Sequence, residues 1–194
     1  EEHQDDQAYA TSFIDTIGMK SFLELGINAQ TLYTETNAFG PDSARRVPKS
    51  EEDGKAFDDL IGSLGHIFAA ASQPNPKTGK VNDYSDAVHQ VVVTEENWGL
   101  ATVVNAFMSQ SDVVYGTDFT VHLAERMETA EYNGASTDDP LLFGYGPCLD
   151  GYSLDPLAGP LFAMGNNPEA ADRYFTPNNT GTNPALEILD TDGD

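Results

Sequence analysis

Apolar residues recur along this chain mostly at spacings of three and four, the period of an amphipathic helix rather than of a strand. The pattern is sharpest after Ser50, where Phe57, Leu60, Ile61, Leu64, Ile67 and Phe68 fall on one stripe. Glu51, Glu52 and Asp53 come just before it, at the positive N-terminal end of the predicted helix. An earlier helix is predicted with Asp5 or Asp6 as its cap, Tyr9, Phe13 and Ile17 on one face, and Gly18 as its end. A second begins at Ser21-Phe22-Leu23-Glu24-Leu25, with Gly26 weakening its middle. Further along, Leu100, Val103, Val104, Phe107 and Met108 form another stripe, and Thr117 caps a helix bearing Phe119, Leu123 and Met127. Ser85 to Val93 reads two ways. Val91-Val92-Val93 is β-branched, yet Tyr84, Val88, Val91 and Val92 also share a helical face.

Between these segments, Asn37 to Lys49 reads as an exposed loop rich in Pro, Gly and charge. Gln73-Pro74-Asn75-Pro76-Lys77-Thr78-Gly79 is the strongest break in the chain. Asn133 to Tyr152 is a long, polar, Gly-rich loop, of a kind often used as a binding surface. Near the end, Asp155-Pro156, Asn167-Pro168 and Asn183-Pro184 each put a capping side chain before a proline suited to the first helical position. These starts predict short helices turning back on each other, with Leu157, Leu161, Met164, Tyr174 and Phe175 facing the core. Pro160 complicates the first of them: lacking an N–H for the carbonyl of Pro156, it requires a helix that is kinked or that starts later.

The predicted fold is all-α, an irregular bundle of about eight short capped helices with little or no β-sheet. The break suggests an N-terminal helical subdomain over 1–73, a linker over 74–80 and a C-terminal helical subdomain over 81–194. One compact domain over 4–189 is the alternative.

Charge changes the picture of partners. Among 194 residues, 32 acids face 9 bases, a formal charge of -23, so nucleic acid and anionic membranes are poor partners. Cations, basic proteins, or solubility in a salty or extracellular setting fit better. No apolar run approaches the ~18 residues of a membrane span, so no membrane insertion is expected. Cys148 is the single cysteine, which excludes an internal disulfide and a cysteine-based zinc site. No basic-then-apolar signal peptide is visible, and the chain opens on Glu1, so it reads as a segment of a longer or processed chain.

Catalytic constellations are sparse. Asp86-Ala87-Val88-His89 and His122-Leu123-Ala124-Glu125 each set a carboxylate three residues from an imidazole, a spacing that can hold a metal. Di-iron bundles and zincins, however, need further ligands at spacings this chain does not offer. Gly62-Ser63-Leu64-Gly65 misses the nucleophile-elbow spacing and lies inside the best helix, where small residues permit close packing. Cys148, between Pro147 and Leu149, has no basic neighbour to activate it. Leu189-Asp190-Thr191-Asp192-Gly193-Asp194 resembles the start of a calcium loop, with Asp190, Asp192 and Asp194 as ligands to a hard cation. Its position-12 glutamate would lie past Asp194. Asn178-Asn179-Thr180 matches a glycosylation sequon. A hydrolase reading would find its acid pair in the loop around Asp138, Asp139 and Asp150.

The stretch from Tyr152 to Phe175, Y-S-L-D-P-L-A-G-P-L-F-A-M-G-N-N-P-E-A-A-D-R-Y-F, resembles a segment of large, helix-rich actinobacterial proteins of unknown function. Those proteins look like carriers or scaffolds of secreted, polymorphic-toxin-like systems. His66-Ile67-Phe68-Ala69-Ala70-Ala71-Ser72 and Tyr115-Gly116-Thr117-Asp118-Phe119 fit the same likeness more loosely. The resemblance implies an α-helical module within a longer chain and no established activity. Pro160 departs from it, standing where the pattern has an apolar helical residue. The first expectation is therefore a non-catalytic acidic scaffold or carrier module of a larger, secreted bacterial protein. It needs no cofactor and meets protein partners within a larger chain or assembly. A calcium-dependent binding or assembly module is the second, and a hydrolase the third.

Overall fold

Asp6 opens the first helix, its carboxylate accepting hydrogen bonds from the N–H groups of Ala8 and Tyr9. This computed structural model describes residues 5–38, 44–79, 84–95, 97–135 and 148–176. Helix α1 (Gln7–Ile17) ends at Gly18, whose φ of 80° suits glycine and lets α2 (Met19–Tyr33) start at the next residue. The buried positions of α1 are Ala10 and Ile14, with Phe13 and Ile17 at the core's edge and Tyr9 exposed. The inner face is thus one residue round from the predicted Tyr9–Phe13–Ile17 line. Tyr9 instead stacks on Phe13, and Phe13 meets Phe22 edge-on. In α2, a Cβ on Gly26 would come 2.7 Å from a Val103 methyl, so its bare backbone is what admits the crossing helix. Gly26 serves packing as well as weakening the helix.

Part of the predicted Asn37–Lys49 loop belongs instead to a two-stranded hairpin. Strands β1 (Thr34–Ala38) and β2 (Ala44–Pro48) pair antiparallel, with Thr34 opposite Pro48 and Thr36 opposite Arg46. Sequence pattern missed them because T-E-T-N-A and A-R-R-V-P carry no alternating apolar face, the signal by which strands are usually recognised. What holds the hairpin is polar: Arg46 donates from Nη1 to Thr34 Oγ1, and its backbone N–H to Asp150 Oδ2.

Helix α3 (Glu51–Ser72) follows the prediction closely. Ser50 Oγ accepts from Asp53 N at 3.0 Å, three acids occupy the first turn, and Ile61, Leu64 and Phe68 are buried, with Phe57, Leu60 and Ile67 packed at the rim. The ambiguous stretch is helical: α4 (Tyr84–His89) runs into a single π-turn (Gln90–Thr94), where Val91 and Val92 are buried. A 3-10 turn (Trp98–Leu100) leads to α5 (Ala101–Met108), and here all eight residues are buried. Rather than presenting one stripe, α5 is a central strut packed against α2, α3 and a later helix, Ala158–Asn166.

Helix α6 (Thr117–Ala135) buries Phe119, Leu123 and Met127 as predicted. Thr117 is its first helical residue rather than its cap, and the helix takes in the first residues of the predicted 133–152 loop. The next helix, α7 (Ala158–Asn166), starts later than Asp155-Pro156. Asp155 Oδ1 instead accepts from Leu157 N in a turn, at 2.8 Å. Pro160 then falls in the first turn, where its missing N–H would have had no intrahelical partner. Asn167 caps α8 (Pro168–Phe175) as predicted, with Pro168 at the first position and Oδ1 accepting from Ala170 N. Asn183-Pro184 lies outside the described residues.

Phe68 sits at the centre of the core, its ring 5.6 Å from Phe22, 5.7 Å from Tyr115 and 5.1 Å from Phe119. The buried cluster thus draws on both sides of the 74–80 stretch. A smaller cluster of Val121, Ala124, Met164, Ala170 and Tyr174 joins α6, α7 and α8. Among the described residues the fold is all-α apart from the hairpin, and no helix is long and apolar enough to cross a membrane.

Candidate functional site

Asn105, buried on α5, fixes the approach to α7. Its Nδ2 donates to the carbonyls of Ser153 and Asp155, both at 2.8 Å, and its Oδ1 accepts from Gly159 N at 2.7 Å. This turns Gly159, Pro160, Ala163 and Met164 inward. At roughly 3.6 residues per turn, Leu161, Phe162 and Gly165 are then left on the outside. Leu161 is 40% exposed and Phe162 46%, with Leu154 at 42% just before the helix and Phe175 at 63% at the end of α8. Of the seven exposed large apolar side chains among the described residues, four therefore lie between 154 and 175. The nine residues of α7 carry no charge. Leu161 and Phe175, predicted to face the core, face solvent; Met164 and Tyr174 are buried and Leu157 is partly so.

The neighbouring surface is acidic. Glu125, Glu128 and Glu131 follow one another at spacing three on α6, and the Tyr174 hydroxyl donates to Glu128 Oε2 at 3.1 Å. Burial raises the Tyr174 phenol, and the charge and hydrogen bond of Glu128 raise it further. Burial also raises the Glu131 carboxyl, followed by the charges of Asp155 and Glu128. Asp155, next to Leu154, is thus within electrostatic reach of Glu131. The nearby arginines are already engaged, Arg126 with Asp86 and Arg173 with Asp118.

One protein family, DUF6571, matches the chain over residues 1–191. The chain belongs to this family of unknown function. No curated protein and no solved structure matches it. In this DUF6571 chain the other candidate sites are less developed. A groove of about 310 Å³ lies between the end of α3 and the starts of α6 and α8, bordered by Gln73, Thr117, Glu169 and the Arg173–Asp118 pair. Ser72 in its wall is not poised as a nucleophile: its hydroxyl donates to Ala69 O and accepts from Gly116 N.

Of the predicted site residues, Asp190, Asp192 and Asp194 lie outside the described residues, as do Asp138, Asp139 and the 178–180 sequon. Asp150 is described, and its polar groups are structural: its N–H donates to Gln30 Oε1 at 2.6 Å and its carboxylate holds β2. Cys148 is exposed, and its carbonyl accepts from Gln30 Nε2. His89 titrates low, first because of partial burial and then because of Arg126, which takes Asp86 as its ion-pair partner. His122 is half-buried on α6. Among the described residues no three His, Cys, Asp or Glu side chains gather closely enough to hold a metal ion.

One polar arrangement has no local sequence signal. His66 of α3 faces Asp5 through Nδ1 at 2.7 Å and Asp112 through Nε2 at 3.2 Å. A neutral imidazole has a single N–H, so only the imidazolium donates to both carboxylates. Partial burial opposes the charged ring, but the two hydrogen bonds and two negative charges outweigh it, and the pKa is raised. The stabilisation is therefore complete below the unfolded value of about 6.5 and fades as pH rises through the higher folded value. The gap in melting temperature between the unmodified chain and His66→Gln is expected to be larger near about pH 6 than near about pH 8.5. A gap that does not change with pH would refute the clamp.

Proposed function

We propose that this chain is a non-catalytic, acidic helical scaffold or carrier module of a larger, secreted bacterial protein, and that it meets other proteins through the outer face of α7. The carrying observation is that face: Leu161 and Phe162 stand exposed on a helix without charge, held by a buried asparagine. Neighbouring apolar side chains exposed on one uncharged helix offer a surface that a partner can cover. The net charge of -23 suits an exported, highly soluble module, and the likeness of the 152–175 stretch to carrier-like secreted proteins supports the same setting.

The face can be tested with 8-anilinonaphthalene-1-sulfonate, a dye that brightens on apolar surface. Leu161→Ser with Phe162→Ser is expected to remove most of the native chain's dye signal while shifting the melting temperature by no more than about 2 °C, because exposed positions carry little packing energy. An unchanged signal, or a collapse in melting temperature, would show that these residues are not an available surface.

A further inference from the structure

We propose that the α7 face docks an apolar segment bordered by lysine and arginine on another protein, in short a basic amphipathic segment. This rests on the scaffold reading above and adds the chemistry of the partner. Leu154, Leu161 and Phe162 say where contact is made, since burying them is what favours association. The border says what sign the partner carries. Asp155 directly follows Leu154, and Glu131 is close enough to feel the charges of both Asp155 and Glu128. Within 154–176 the bases number one, Arg173, and Asp118 already holds it.

A second copy of this chain is the wrong occupant. Pairing two such faces sets acidic border against acidic border, between bodies that each carry -23. The screening length at physiological salt, about 8 Å, is too long to hide charges brought to contact distance. Basic residues on a partner turn the same repulsion into attraction, which speeds encounter and fixes register. Nucleic acid and anionic lipid surfaces are excluded by sign.

The experiment is fluorescence anisotropy at physiological salt with the full chain and a labelled Leu/Lys amphipathic helical peptide, alongside a Leu/Glu peptide of the same pattern. The Leu/Lys peptide is expected to bind and the Leu/Glu peptide not to. Phe162→Ser and Glu131→Lys should each weaken binding by about ten-fold or more, with Glu131→Gln as a milder variant if the lysine disturbs folding. Glu24→Lys makes the same charge change on an exposed part of α2 and should leave affinity unchanged. Absence of binding, equal binding of the Leu/Glu peptide, or an equal loss in Glu24→Lys would overturn the proposal. So would sedimentation showing a dimer that Phe162→Ser dissociates. If the dye responds to the Leu161/Phe162 substitutions while the peptide fails to bind, only the partner's chemistry is wrong. A dye signal indifferent to those substitutions removes the scaffold face itself.

Discussion

Leu64→Asp is expected to lower the melting temperature by about 10 °C or more, or to abolish the cooperative transition altogether. Leu64 is 4% exposed in the main core, one turn from Phe68, around which the rings of Phe22, Phe107, Tyr115 and Phe119 gather. A carboxylate placed among these apolar side chains must either lose its hydration or take up a proton. Either course costs several kcal/mol, about 4 or more, against a typical total stability of about 5–15 kcal/mol. For a chain of this length each kcal/mol shifts the transition by roughly 2–4 °C. Leu64→Met is the matched control: it keeps volume and apolarity and should cost less than about 1.5 kcal/mol. An unchanged melting temperature in Leu64→Asp would mean that the stripe of α3 does not face the core.

That stripe was readable in the sequence because it combines a long 3.6-residue period with a capping serine and acids in the first turn, all local signals that agree. The Asn167-Pro168 start of α8 was readable for the same reason. The hairpin was not, since its strands are polar and its bonds run to Arg46, Thr34 and Asp150, the last more than a hundred residues away. α5 showed a stripe yet is buried all round, because its surroundings and not its pattern decide how many faces are covered.

The candidate surface was hidden in a similar way. The stretch A-G-P-L-F-A-M-G has no polar side chain before Asn166, so periodicity cannot say which of its residues turn inward. The lack of charge was the available signal, and it reads equally well as core. The choice is made by Asn105, whose partners lie about fifty residues on. His66 was equally silent, its two carboxylates standing 61 and 46 residues away.

Asn105→Ala is the second large effect expected, and it bears on the surface as well as on stability. The side chain is 3% exposed and satisfies the carbonyls of Ser153 and Asp155 and the N–H of Gly159. Truncation leaves three backbone groups without their partner, each worth roughly 1–3 kcal/mol when buried, though less than additively. A total of about 3–5 kcal/mol follows, or a fall of roughly 6–20 °C in melting temperature. Asn105→Asp separates hydrogen bonding from volume: its carboxylate still accepts from Gly159 but faces two carbonyls it cannot donate to. It should therefore be as damaging as alanine despite its nearly equal size. Hydrogen exchange below the transition adds a readout that general destabilisation does not mimic, since the Gly159 amide should lose protection before the buried amides of α3. Should Asn105→Ala cost under about 1 kcal/mol, or the Gly159 amide stay protected, the asparagine would not be what holds α7, and the outward placement of Leu161 and Phe162 would need another cause.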